Sequence, residues 1–159
     1  MAHESVQKMW EAYLHGIGEM ERGALTFEAW HFCDNQEDAD ALAQLVLDGT
    51  KRGTASLVRA YEIENEPLPK KGDLSMITDF GGAAKCIIQT VDIAVYPFDE
   101  VPESFAQREG EGDKSLRYWK AAHEAAFTRE LQTYGEAFAP SMRVVCESFE
   151  VVYPPVRRM

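Results

Sequence analysis

Apolar residues recur every three or four positions near the start of the chain: Val6, Met9, Trp10, Tyr13, Leu14 and Ile17. This spacing predicts an amphipathic helix over about Glu4 to Ile17. Gly18 and Gly23 then break the pattern. From Leu25 to Phe32 the chain alternates and is aromatic, which reads as a strand. Asp34 or Asn35 can cap the helix that follows, with Glu37 and Asp38 suited to the positive end of its dipole. Leu42, Leu45 and Val46 form the apolar face of that helix, and Gly49 suits the residue just past its end.

Thr54 to Val58 reads as a second strand. Pro67, Pro69 and Gly72 punctuate a loop. Leu74 to Thr78 and Lys85 to Tyr96 are strand-like, with Phe80-Gly81-Gly82 as the turn between them. The run Cys86-Ile87-Ile88 suits a strand buried on both faces. Asp99 to Gln107 predicts a short helix with Pro102 in its first turn. Glu109 to Asp113 is a loop of alternating acids and glycines, and Asp113 can cap a long helix to about Tyr134. Its apolar stripe is Leu116, Trp119, His123, Phe127 and Leu131. Met142 to Tyr153 alternates as a last long strand, and Pro154, Pro155 and a basic tail end it. The expected architecture is one α+β domain over 1–159, with the helix of residues 4–17 packed on it. It has about five or six strands in a mixed, curled sheet or small barrel, flanked by about four helices.

Charge narrows the partners. The 159 residues carry 27 acidic against 16 basic side chains, a formal net charge of −11. Affinity for a nucleic-acid polymer comes largely from phosphate neutralisation, so a long nucleic acid is not the expected ligand. Lys51, Arg52, Arg59, Lys70 and Lys71 nevertheless fall in one segment, a local positive mouth for a small anion or a neutral nucleoside. No apolar run approaches the length of a membrane helix, and the polar N-terminal residues lack a signal-peptide pattern. A cytoplasmic location is the expectation, and the oligomeric state is open. Cys33, Cys86 and Cys146 form no C-x-x-C and read as reduced packing residues. The four histidines show no i,i+4 pair, so no metal and no organic cofactor are expected.

The chemistry concentrates at Gly49 to Leu57, where Lys51 and Thr54 stand three residues apart at a helix-to-strand transition. A lysine whose pKa is lowered toward neutrality can deprotonate a hydroxyl, and a threonine so activated is a nucleophile. The segment alone fits a catalytic pair, a phosphate clamp or an ordinary turn. Trp30 and Phe32, two apart on a strand, share a face and suit either base stacking or core packing. Tyr61 carries the same ambiguity. His123, within an apolar stripe, reads as a packing histidine. The acids Glu109, Glu111 and Asp113 lack the length of a calcium loop and read as helix-cap chemistry.

Five elements occur in a particular order: Trp30-x-Phe32-Cys33-Asp34; Gly49-x-Lys51-x-x-Thr54-x-Ser56-Leu57; Leu68-Pro69-Lys70-x-Gly72-Asp73; Phe105-Ala106-x-x-Glu109-Gly110-Glu111-Gly112-Asp113; and Ser115-Leu116-x-x-Trp119-x-x-x-His123. In that order they resemble the ASCH domain family of the PUA-like β-barrel superfamily, over about residue 27 to Tyr153. The resemblance implies an RNA-associated fold, some of whose members are amidohydrolases acting on N4-acetylcytidine and others ribonucleases. Carried over by motif, the catalytic set is Lys51, Thr54 and Glu109, with Glu111 a rival for the acid. Arg52, Ser56, Tyr61, Trp30 and Phe32 are the candidate substrate contacts. Three functions are therefore expected to compete: an amidohydrolase on an N4-acylated cytosine nucleoside, a module binding RNA or a modified base without chemistry, and a ribonuclease.

Overall fold

A computed structural model describes residues 2–17 and 25–155. Gly18, Gly23 and the basic tail lie outside the described residues. In chain order the elements are α1 (Glu4–Gly16), β1 (Glu28–Trp30), α2 (Gln36–Leu47), β2 (Gly53–Leu57), α3 (Val58–Glu64), β3 (Leu74–Thr78) and β4 (Ala84–Pro97). A 3₁₀ turn (Phe98–Glu100), α4 (Glu103–Glu109), α5 (Leu116–Thr133) and β5 (Arg143–Tyr153) complete them. The class is α+β, as the periodicities predict. The strands hydrogen-bond in the order β1-β3-β4-β5-β2.

The chain forms two compact units, each assembled from separated segments. The first comprises Met1–Gly49, Gly72–Thr90 and Phe149–Met159. Here β1 runs parallel to β3, with Glu28 opposite Ser75, and β3 runs antiparallel to β4. Val6 and Trp10 of α1 bury themselves with Leu74, Met76 and Ile87. Asn35 caps α2 by accepting from Asp38 N at 2.9 Å, and Ala39, Ala43 and Val46 are its fully buried residues. Gly49, at φ +80°, follows the helix as expected. Cys86, Ile87 and Ile88 are buried in succession.

The second unit comprises Thr50–Lys71 and Val91–Ser148. β2 pairs antiparallel with β5, placing Thr54 opposite Glu147 and Leu57 opposite Val144. Leu57, Phe98, Phe105, Trp119, Phe127 and Leu131 form one apolar cluster with Val144 and Cys146. Burying each large apolar side chain there stabilises the fold by about 1.5–3 kcal/mol. This cluster holds α4 and α5 together.

Five local expectations are corrected. The first strand is only three residues long, Glu28–Trp30, and the chain turns at Cys33, whose φ is +57°. Cys33 is exposed rather than packed. α3 has no counterpart in the sequence reading; it has no side-chain cap and ends on Asn65 in the left-handed region. Residues 98–109 split into a 3₁₀ turn and α4, with Pro102 before the helix rather than in its first turn. α5 is capped by Ser115, whose hydroxyl accepts from Tyr118 N at 3.0 Å. Asp113 instead accepts from Ser115 N at 2.9 Å, so it shapes the turn before the cap.

Candidate active site

The second unit gathers a buried ionic cluster from three segments. Lys51 lies in the short connection before β2 and is 1% exposed. Its neighbour Arg52 donates its backbone N–H to the Arg108 carbonyl at 2.7 Å, tying this connection to the end of α4. Glu109 is the last residue of α4 and shares the buried face of that helix with Phe105 and Ala106. It too is 1% exposed. Trp119 and His123 lie one turn apart on α5, so their rings meet; they stack at 4.2 Å and 17°.

Lys51 Nζ lies 3.1 Å from Glu109 Oε1 and 3.0 Å from Glu111 Oε2. Glu109 Oε2 accepts from Trp119 Nε1 and lies 3.0 Å from His123 Nε2. His123 Nδ1 is 2.9 Å from the Trp119 carbonyl oxygen. Gly110 makes this convergence possible. At φ +69° it turns the chain so that the acids on either side of it both reach Lys51. A Cβ on Gly110 would lie 2.2 Å from the Thr50 carbonyl oxygen, so only glycine fits there.

Burial opposes charge on every member, and the partners outweigh it. For Lys51, desolvation lowers the pKa, but Glu109 and Glu111 together raise it above the ordinary lysine value. For Glu109, desolvation raises the pKa, but Lys51, His123 and Trp119 hold the carboxyl down at about 2. For His123, desolvation lowers the pKa, but Glu109 raises it above the ordinary imidazole value. The resting site is therefore an ion-paired cluster. The lowered lysine pKa that the sequence reading required of a base is not its resting state: two carboxylates face one ammonium. Glu109, Glu111 and His123 bring donor atoms within 4.8 Å of one another. Lys51 supplies the positive charge among these carboxylates.

Of the expected site residues, the structure brings together Lys51, Glu109 and Glu111, so the two rival acids both contact the lysine. Thr54 is half-buried on β2, where period-two alternation puts it on the face of Ser56. Ala55 and Leu57 point the other way, into or against the apolar cluster. Ser56 Oγ lies 2.9 Å from Tyr61 OH. Arg52 is exposed and lines a cavity of about 330 Å³ with Thr50, Ser104, Gln107 and Arg108. Trp30 and Phe32 belong to the first unit. Their rings meet edge to face at 4.9 Å, with Phe32 buried among Ala43, Val46 and Ile77. His123 packs against Trp119 and Phe127 as the sequence suggests, and its contact with Glu109 is the feature that sequence reasoning missed. The one available signal was its position one turn after Trp119.

An α+β fold with a buried lysine–carboxylate pair beside its β2–β5 strands defines the class. The ASCH domain model matches residues 28–153, and the chain belongs to the ASCH domain family, with its PUA-like fold. An ASCH domain from Lactobacillus crispatus JV V101 is 36% identical, with a TM-score of 0.90 and 96% of each chain covered. A protein from Enterococcus faecalis V583 is 37% identical, with a TM-score of 0.85, covering 94% of this chain and 88% of that one. No curated protein matches the sequence. Among the described residues, no helix is long and apolar enough to cross a membrane.

Proposed function

We propose that this chain is an amidohydrolase that removes the acyl group from an N4-acylated cytosine nucleoside. The observation that carries the reading is the buried Lys51–Glu109 contact at 3.1 Å, with Thr54 three residues beyond Lys51 at the start of β2. Membership of the ASCH domain family supports it. A desolvated ammonium–carboxylate pair can pass its proton internally without changing the charge of the site. Transfer from Lys51 to Glu109 yields a neutral amine and a carboxylic acid, the base and the acid that amide hydrolysis needs.

In this mechanism the Lys51 amine takes the Thr54 hydroxyl proton, and Thr54 Oγ attacks the acyl carbon. The tetrahedral intermediate collapses as the acid on Glu109 protonates N4. The C–N bond breaks, cytidine leaves, and the acyl group remains on Thr54 as an ester. Water, deprotonated by the Glu109 carboxylate, attacks that ester. The Lys51 ammonium returns the proton to Thr54 Oγ, the carboxylic acid departs, and the ion pair reforms. Incubation with N4-acetylcytidine tests the reading: cytidine and acetate appear with the native chain and vanish with Lys51→Ala, Thr54→Ala and Glu109→Gln. Deacylation that survives Thr54→Ala removes the nucleophile from the mechanism, and no turnover at high enzyme concentration removes the activity.

One observation favours a second reading. The cavity formed by Thr50, Arg52, Ser104, Gln107 and Arg108 has two guanidinium side chains and no acid among its lining residues. It suits a phosphate, as a nucleotide or an RNA end would supply. Binding of such a ligand without deacylation is the outcome this second reading expects.

A further inference from the structure

The polar atoms around Glu109 fix where the protons of the site reside. Oε1 faces Lys51 Nζ, and Oε2 faces both Trp119 Nε1 and His123 Nε2. An ammonium and an indole N–H can only donate. Glu109 therefore accepts from at least two obligate donors, the environment of an ionised carboxylate. The other imidazole nitrogen, Nδ1, lies 2.9 Å from the Trp119 carbonyl oxygen, which can only accept. Nδ1 therefore carries a hydrogen. Nε2, 3.0 Å from an ionised carboxylate, carries the second.

We propose that His123 resides in the site as an imidazolium and is the positioning residue that keeps Glu109 ionised and aimed at Lys51. Among these four groups the charges then balance: Lys51 and His123 are positive, Glu109 and Glu111 negative. Loss of the imidazole proton leaves one uncompensated negative charge in a buried site. The groups facing this ring are Glu109 from α4, Glu111 from the following loop, and the Trp119 and Phe127 rings of α5. Lys51 acts on the same carboxylate, and that carboxylate, after burial, helps keep the Cys146 thiol of β5 protonated. The direction of the His123 titration agrees, since Glu109 outweighs the effect of burial.

The consequence for turnover rests on the amidohydrolase reading. A cation on Oε2 makes the acid form of Glu109 stronger, so a proton received on Oε1 passes more readily to the leaving N4. The protonation state itself does not depend on that reading.

Long-range ¹H–¹⁵N spectra of the imidazole in the intact chain, recorded from pH 5 to 9, test the proposal. Both His123 nitrogens are expected to be protonated at pH 7, with a midpoint above about 6.5. Glu109→Gln is expected to lower that midpoint by about one unit or more. A neutral ring with one bare nitrogen at pH 7 in the native chain overturns the imidazolium, and this measurement needs no variant to fold. For the positioning role, His123→Gln is expected to lower kcat for N4-acetylcytidine by about 10–100-fold at similar KM. It is also expected to remove the alkaline limb of the kcat profile. An unchanged kcat and profile overturn that role. A native chain without deacylase activity overturns the proposed reaction, while the ring spectrum still decides the protonation state.

Discussion

Lys51 and Glu109 are 58 positions apart in sequence, yet their charged atoms meet at 3.1 Å with almost no exposure to solvent. Neither charge is tolerable there without the other, because the interior desolvates both. Glu111, on the other side of Gly110, adds a second and more exposed contact to the same ammonium. The ion pair is thus both a structural commitment and the store of the proton that the proposed chemistry moves.

Removing one partner strands the other. Glu109→Gln keeps the shape of the side chain but takes from Lys51 its buried carboxylate and from His123 the anion 3.0 Å from its Nε2. The expected loss is about 3–5 kcal/mol of stability. Urea unfolding of native and variant chains measures it. A loss within about 0.5 kcal/mol, the range of an ordinary surface substitution, contradicts the pairing.

The same cluster sets the pH dependence of stability. The Glu109 carboxyl is depressed to about 2 in the fold, against about 4.3 in an unfolded chain. Its contribution is present above the unfolded value and is lost as pH falls through the folded one. The His123 pKa is raised, so its contribution is present below about 6.5 and is lost as pH rises through the folded value. The Lys51 pKa is raised as well, and its contribution disappears only at strongly alkaline pH. Stability contributed by the cluster should therefore be greatest at roughly pH 5–6. Unfolding midpoints across pH 2–9 check this: His123→Gln should remove the alkaline slope and lessen the acid one, since His123 helps hold Glu109 down, whereas Glu109→Gln should remove the acid slope and flatten the alkaline one, since Glu109 is what raises His123. Unchanged slopes in both variants would contradict the assignment.

Gly110 holds the two acids in place. Gly110→Ala forces a Cβ to 2.2 Å from the Thr50 carbonyl oxygen at a positive φ. Gly72→Ala, at φ +97° with nothing within 4 Å, imposes backbone strain without a clash. The expected cost at Gly72 is about 1–3 kcal/mol, and Gly110→Ala should cost clearly more and abolish turnover. Equal costs, measured by urea unfolding, would show that the close approach to Thr50 is not limiting.

Much of the frame was legible because hydrophobic period maps directly onto exposure. The helix from Glu4, the strand Leu74–Thr78 and the last strand all follow from it, while side-chain type narrows the cap to Asp34 or Asn35, and the cap is Asn35. The short elements were not legible. Val58–Glu64 has neither a cap nor a long apolar face, and the turn at Cys33 uses a positive φ that a cysteine does not advertise. At the site, the resemblance carried Lys51 and Glu109, whose contact no local pattern encodes. His123 packs as its apolar stripe predicts, between Trp119 and Phe127, but the stripe does not reveal which oxygen atoms its nitrogens face. The charge state of Lys51 was likewise invisible, since it depends on two carboxylates that the turn at Gly110 brings together.

The cavity between the Lys51 connection and α4 separates a nucleoside from a nucleotide as the preferred ligand. Thr50 and Arg52 flank Lys51 in sequence, and Arg108 precedes Glu109, so three of its lining residues adjoin the proposed reacting pair in the chain. Hydrogen bonds from a guanidinium to a phosphate contribute about 1.5–3 kcal/mol, or roughly 10–100-fold in affinity. Arg52→Gln and Arg108→Gln leave the backbone bond from Arg52 N to Arg108 O available. If the cavity takes phosphate, each variant should raise KM for N4-acetylcytidine 5′-monophosphate by about 10-fold or more and leave KM for N4-acetylcytidine unchanged. The advantage of the nucleotide should also shrink as salt rises, because exposed charges are screened. Equal KM values for the two substrates in the native chain, unmoved by either substitution, would assign the cavity no part in recognition. The expectation from the net charge of −11 is a single phosphate rather than a long RNA, and a fall in KM for the monophosphate with no competition from a long RNA checks it.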